Sequence, residues 1–319
     1  MANQSTATEF LLMGFSDERD MQIFHVVMFL SIYLITLLGN FLLITAVILN
    51  HNLHSPMYFF LVNLSFSDIC YISTTVPKSM ATSLTNNKLI SFSGCVTQVF
   101  LVVVLASGEL FILTVMAYDR YIAICHPLQY TLIMNWNTCL QMAAASWVFG
   151  VINSVVNTTN TFKLLFCRSN TIQQFFCDIP QLLLLSCSDT KANKWVLFAV
   201  VVFGSLFCFS CVLFSYGYIF STVLKIPSVQ ARYKAFSTCM PHLAVFSLFL
   251  STAIFSYLRP RALSAPAVDL LAAILYTVLP PLMNPIIYSL RNKEIQMTLM
   301  RMSKNCISCS HWMRFSKGV

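Results

Sequence analysis

Hydrophobic and polar positions along this chain form a coarse repeat: seven apolar runs, each about 20 residues or longer, are separated by polar stretches. The runs fall near 23–49, 57–80, 95–121, 139–159, 195–224, 235–258 and 268–290. An α-helix rises about 1.5 Å per residue, so about 20 apolar residues cross the ~30 Å hydrocarbon core of a bilayer. The pattern predicts seven membrane-spanning helices. Connections are short except for 160–194, and polar ends flank the bundle at 1–22 and 291–319. A basic, amphipathic stretch from Arg291 to Lys304 predicts a short helix after the seventh span. The expected fold class is an all-α integral membrane protein, a seven-transmembrane-helix bundle forming a single domain over 1–319.

Composition agrees. Hydrophobic residues make up 57% of the chain and charged residues 9%, and the mean hydropathy is +0.74. Soluble domains carry roughly 25% charged residues, so this chain cannot cover a water-facing surface. The first 22 residues hold no apolar segment or small-residue cleavage site, and the first helix is expected to act as an uncleaved anchor. Asn3-Gln4-Ser5 is a glycosylation acceptor pattern in a flexible external tail. Asn63-Leu64-Ser65 and Asn157-Thr158-Thr159 match the same pattern, but one lies inside a helix and the other at a helix end, where a match is expected by chance.

Charge barely orients the bundle. Of the 19 Lys and Arg residues, ten fall on the side read as cytoplasmic and nine on the other, and the positive-inside rule counts Lys and Arg alone. Cysteines decide better. Cys95, at the start of the third span, shares a side with Cys167, Cys177 and Cys187 in the long loop. Four cysteines on one face suit an oxidising exterior, although four allow three connectivities. Beyond the seventh helix, Cys306-Ile307-Ser308-Cys309 has no second pair to complete a zinc site. It stands as a palmitoylation site or as unmodified thiols.

Polar residues inside the spans are few, and such residues are expensive in a bilayer and usually mark function. Asp68 and Glu109 are the only carboxylates in the span interiors. Two like charges in a low-dielectric core cannot both ionise freely, so one takes a proton or a cation joins them. The pair is therefore read either as a sodium site or as a protonated pair hydrogen-bonded to Asn40, Asn284 or serines. Asp119 and Arg120 end the third helix, where they mark a functional site or simply neutralise each other. In the seventh helix Pro285 lacks an N–H and clashes with the preceding turn. Asn284-Pro285 is thus a hinge, or else a static kink, with Tyr288 about one turn beyond.

Four blocks stand out: Leu53-His54-Ser55-Pro56-Met57-Tyr58, Met116-Ala117-Tyr118-Asp119-Arg120-Tyr121-Ile122-Ala123-Ile124-Cys125-His126-Pro127, Lys234-Ala235-Phe236-Ser237-Thr238-Cys239 with His242-Leu243, and Pro281-Leu282-Met283-Asn284-Pro285-Ile286-Ile287-Tyr288. Together they resemble the olfactory receptor family of rhodopsin-like G-protein-coupled receptors. Their order and spacing cover nearly the whole chain and are similar to the tetrapod-type branch. The resemblance implies disulfides Cys95–Cys177 and Cys167–Cys187. It implies coupling residues Asp119, Arg120, Tyr121, Tyr216, His242, Asn284, Pro285 and Tyr288. It also implies a ligand pocket in the outer half of the bundle. That pocket is lined by Val99, Val102, Val103, Ala106 and Ser107 on the third helix, Val201 and Ser205 on the fifth, Leu250, Ile254 and Tyr257 on the sixth, and Thr277 on the seventh. Amine receptors of the superfamily carry Asp where Val102 stands, so small, neutral, mainly apolar volatiles are the expected ligands.

The remaining expectations follow from the same resemblance: a stimulatory heterotrimeric G protein as partner, a rise in cAMP, a plasma-membrane location, and no cofactor beyond a sodium ion at Asp68 and Glu109. The alternative is a receptor of this fold for a non-odorant metabolite. Two departures stand out. Leu250-Ser251 replaces the usual Tyr-Gly of the sixth helix, and Gln174 replaces a common His before Phe-Phe-Cys. Many rhodopsin-like receptors also lock the third-helix Arg to an acid on the sixth helix. No Asp or Glu occurs between Ser221 and Val245, so restraint on Arg120 falls to Asp119, with Tyr216 and His242 as hydrogen-bonding candidates. A transporter or channel is disfavoured because no charged ring or inverted repeat is evident. An enzyme is disfavoured because no catalytic set of residues appears.

Overall fold

A computed structural model describes residues 9–13, 18–85, 87–166, 170–187, 191–257 and 266–315, with the side chains of 191–201, 257, 266–267, 291 and 305–315 excepted. The helices in chain order are α1 Arg19–Leu49, α2 Pro56–Thr85, α3 Phe92–Cys125, α4 Tyr130–Ile133, α5 Trp136–Phe162, α6 Ile179–Leu185, α7 Lys191–Leu224, α8 Val229–Tyr257, α9 Pro266–Arg291 and α10 Lys293–Phe315. Among the described residues, seven are long and apolar enough to cross a bilayer: α1, α2, α3, α5, α7, α8 and α9.

Most helices begin a few residues before the apolar runs do, and two starts have a visible cause. Ser91 caps α3 by accepting from the Gly94 amide at 3.1 Å, and Asn135 caps α5 by accepting from the Thr138 amide at 3.0 Å. Each cap satisfies an otherwise orphaned first-turn donor, so the helix extends into a polar turn that hydrophobicity alone leaves out. After the seventh span, Asn292 accepts from the Glu294 and Ile295 amides at 3.0 and 3.2 Å and starts α10. This helix runs well beyond the expected end at Lys304 and carries Cys306 and Cys309, whose side chains lie outside the described residues.

Bilayers offer no water to an unpaired backbone group, so each proline needs compensation. Pro285 supplies no N–H to the carbonyl of Pro281. Asn40 of α1 fills the gap, its Nδ2 donating to the Pro281 oxygen at 3.1 Å. Gly39 makes this approach possible, since a Cβ there would sit 3.2 Å from Pro285 Cγ. One Gly-Asn pair on α1 thereby holds the break in α9.

Helix α3 runs through the middle of the bundle, against α2, α5, α7 and α8. It approaches α5 closely, where a Cβ on Gly150 would lie 2.9 Å from the Val104 carbonyl oxygen. Toward the Arg120 end a large apolar core gathers Leu64, Leu113, Ile219 and Val245.

At the opposite end lies an element absent from the all-α expectation, a three-stranded sheet of β1 Glu9–Leu12, β2 Leu89–Ser91 and β3 Thr171–Ile172 in the order β2-β1-β3. β1 pairs antiparallel to β2, with Phe10 opposite Ile90, and parallel to β3, with Leu12 opposite Ile172. Phe10 and Leu12 are fully buried against Cys95, Val99 and Cys177. Residues 9–12 are therefore a packed strand and not part of a flexible tail. Asn3 lies outside the described residues.

Replacing Gly150 by Ala should lower the melting temperature of the purified protein by roughly 5 °C, because the new Cβ meets backbone and overpacking typically costs about 1–3 kcal/mol. Gly204→Ala, where nothing lies within 4 Å, should leave it within a degree or so. The comparison is made by thermal denaturation in one detergent.

Candidate functional site

The acids predicted to meet do meet. Asp68 on α2 and Glu109 on α3 are both buried and share one donor, the side-chain amide of Asn284 on α9. Its Nδ2 lies 3.2 and 3.1 Å from the two Asp68 oxygens and 3.2 Å from Glu109 Oε1. Asn40, read as a partner of this pair, instead donates to the carbonyls of Thr36 and Pro281. The Oδ1 atoms of Asn284 and Asn40 are buried without hydrogen-bond partners among the described residues, as is the Tyr288 hydroxyl.

A second polar group crosses the bundle nearer the Arg120 end. His242 of α8 is buried. Its Nε2 lies 2.8 Å from the Leu113 carbonyl oxygen of α3 and its Nδ1 lies 2.7 Å from the Tyr216 hydroxyl of α7. A carbonyl only accepts, so Nε2 carries the proton and Nδ1 accepts from Tyr216. Tyr216 and His242, expected to restrain Arg120, are instead bonded to each other and to α3.

Arg120 is held by its neighbour. Its Nε donates to Asp119 Oδ2 at 2.9 Å and its Nη2 pairs with the same oxygen. The other carboxylate oxygen, Oδ1, accepts from the Tyr130 hydroxyl of α4 at 2.7 Å. Burial, and then the Asp119 carboxylate, push the Tyr130 phenol above its ordinary pKa, so it remains a proton donor at physiological pH. Tyr121 turns toward His126, its hydroxyl 3.1 Å from Nε2. Arg120, His242 and Tyr288 line one cavity of about 1050 Å³, with Tyr233, Lys234 and Asn292 among its other walls.

The expected ligand residues divide among different neighbours. Val99 is buried beneath the sheet and Val103 packs against the same cluster. Val102 and Ala106 pack with Tyr71 and Trp147. The Ser107 hydroxyl accepts from Asn153 Nδ2 of α5 at 2.7 Å. Ser205 is partly buried and Leu250 packs against the large core. Ile254 is 47% exposed, and Thr277 donates its proton to the Ala273 carbonyl at 2.6 Å. The side chains of Val201 and Tyr257 lie outside the described residues.

Cys95 and Cys177 form the expected disulfide, 82 residues apart, a closure worth about 4.5 kcal/mol in the chain-entropy account. Cys187 is also disulfide-bonded, while Cys167 lies outside the described residues. Three residues after Cys95, Gln98 accepts from the Cys177 amide at 2.8 Å and donates to the Thr74 carbonyl at 2.9 Å. It thus pins the bridged loop to α2.

Sequence reasoning missed Tyr130, Gln98 and Asn153. Gln98 and Asn153 carried a signal, each being an amide in an apolar run. The pattern around Asn157 was indeed no external acceptor: Asn157 is buried and its Nδ2 donates to Asn153 Oδ1 at 2.8 Å.

Seven helices long and apolar enough to span a bilayer surround a buried acid pair, with a guanidinium lining a cavity at one mouth, the architecture of a seven-helix membrane bundle. The sequence matches the family described as olfactory receptor over residues 29–305. It is 52% identical to Homo sapiens olfactory receptor 14A16, an alignment covering 94% of this chain and 96% of that protein. It is 50% identical to Homo sapiens olfactory receptor 14C36, over 95% of this chain and 97% of that protein. The chain belongs to the olfactory receptor family, whose members are G-protein-coupled receptors and not enzymes.

Tyr130→Phe removes one hydrogen bond to the carboxylate that restrains Arg120. With about 1 kcal/mol lost from the restrained state, ligand-independent G-protein activation should rise about fivefold. Nucleotide exchange on a co-reconstituted G protein, at equal receptor concentration, measures this; an unchanged basal rate would separate Tyr130 from the restraint.

Proposed function

We propose that this chain is an odorant-activated receptor of the plasma membrane. It takes small, neutral, mainly apolar volatiles in the half of the bundle beneath the sheet and activates a stimulatory heterotrimeric G protein, raising cAMP. The sheet end faces outward in this reading, supported by the disulfides gathered there, since such bonds persist in oxidising surroundings. The observation that carries the reading is the shared cavity of Arg120, His242 and Tyr288. Those three residues come from α3, α8 and α9, each helix tied inward to the polar groups of the bundle, so a shift among these helices reshapes the face offered to a G protein.

Ligand chemistry follows from the residues assigned to the pocket. They carry no formal charge, so an ionised ligand would lose its hydration with no opposite charge in return. Ser107 spends an acceptor position on Asn153 and keeps its own proton. A ligand carbonyl or ether oxygen can take that proton, a contact worth about 1 kcal/mol, and fit against Val99 and Val103 governs the rest.

Asp68 and Glu109 suit either a shared proton or one sodium ion. The unpartnered Asn284 oxygen adds a hard donor to the two carboxylates, the ligand type an alkali cation prefers. A bound ion would neutralise the pair and hold α2, α3 and α9 in the resting arrangement.

Arg120→Ala should abolish cAMP output to every odorant active on the wild type, at matched surface expression, with ligand binding retained. Full signalling by this variant would remove Arg120 from coupling. In the same cells Val103→Phe should shift a homologous series of aldehydes and esters toward shorter chains, and an unchanged size preference would place the pocket elsewhere.

A further inference from the structure

On the outer flank of α2 and α3, beside β2, a groove of about 650 Å³ is lined by Ser73, Lys78, Leu89, Ser93, Thr97 and Leu101, among others. No carboxylate lines it. Lys78 donates to the Leu89 carbonyl at 2.9 Å, which uses one of the three N–H groups of its ammonium and leaves two. Ser73, Ser93, Thr97 and Leu101 are exposed. In a membrane this surface faces lipid and not water.

Depth decides what chemistry the groove meets. Lys78 lies 22 residues beyond Pro56 along α2, and Thr97 lies 23 residues before Arg120 along the antiparallel α3. At 1.5 Å per residue these are about 33 and 35 Å, both just past a hydrocarbon core of ~30 Å. With Pro56 and Arg120 taken as the far edge of the hydrocarbon, both helices put Lys78 and Thr97 at the level of the headgroup phosphates. Leu101, one turn deeper on α3, lies where acyl chains begin. The groove is cationic and hydroxylated at phosphate depth and aliphatic below it, the same gradient a phospholipid carries.

The geometry points to a specific phospholipid site here, with the phosphate on the Lys78 ammonium and the Thr97 hydroxyl and an acyl chain along Leu101. Because the lipid also contacts Leu89 beside the sheet, its occupancy braces β2 against α2. The site rests on the membrane fold alone, so its test stands or falls separately from odorant binding and G-protein coupling.

Native mass spectrometry of the delipidated full-length receptor, titrated with palmitoyl-oleoyl phosphatidylcholine and with monogalactosyl diacylglycerol of the same chains, provides the test. The first phosphatidylcholine should bind several-fold more tightly than the galactolipid. Lys78→Gln should weaken it about fivefold, the loss of about 1 kcal/mol from one hydrogen bond to the phosphate, while Lys78→Arg restores it. Thr97→Val, an exposed substitution that leaves the core untouched, should weaken it to a smaller degree. Phosphatidylcholine binding unchanged by Lys78→Gln, equal affinity for the galactolipid, or inorganic phosphate binding in preference to the lipid would each overturn the assignment.

Discussion

A bilayer core solvates neither a charge nor an unpaired amide, and two carboxylates on adjacent helices make that constraint the one around which this bundle is arranged. Asp68 and Glu109, both buried, converge on a side chain that reaches both, the Asn284 amide. Asn284 sits on the helix that Pro285 interrupts. The carbonyl freed by that proline is taken by Asn40 of α1. Four helices, α1, α2, α3 and α9, are tied together by polar groups that have no alternative partner in lipid. The apolar contacts fill the space around this frame, and the break in α9 is held in place by it.

Toward the Arg120 end the same pattern repeats with different groups. Many relatives in the wider superfamily restrain their third-helix arginine with an acid on the sixth helix; here that stretch of sequence holds none. The restraint is instead local to the Arg120 end, with Asp119 holding Arg120 and Tyr130 holding Asp119. The sixth helix is anchored separately, through His242 to the Leu113 carbonyl and to Tyr216. Arg120 and the sixth helix are therefore held by two separate sets of hydrogen bonds and not by one shared salt bridge. Both open onto the cavity that Tyr288 also lines, where Tyr288 presents a hydroxyl with no hydrogen-bond partner among the described residues.

The spans were legible because lipid demands long apolar runs, and the acid pair because a charge in such a run is rare. Helix starts were less legible. Ser91 and Asn135 extend α3 and α5 through caps that hydropathy does not register. The strand β1 escaped because only Phe10 and Leu12 alternate, too short a pattern to stand out in a polar tail. Leu113 could not have been found at all, since its backbone oxygen is what receives His242 and its side chain carries no sign of that. Tyr130 sits in a connection with no periodicity to place it against Asp119. On α3, helical spacing selected a set of ligand residues without revealing that Val99 and Val103 lie under the sheet while Val102 and Ala106 pack with Tyr71 and Trp147. One helix face has several neighbours, and the sequence does not say which.

Asp68 and Asn284 act as one unit, bonded at 3.2 and 3.1 Å. A double-mutant cycle on thermal stability tests this most directly, using wild type, Asp68→Ala, Asn284→Ala and the double variant in identical nanodiscs. Residues in one buried network couple by about 0.5–3 kcal/mol, so the double variant should melt close to the less stable single variant. Losses that simply add would contradict the account.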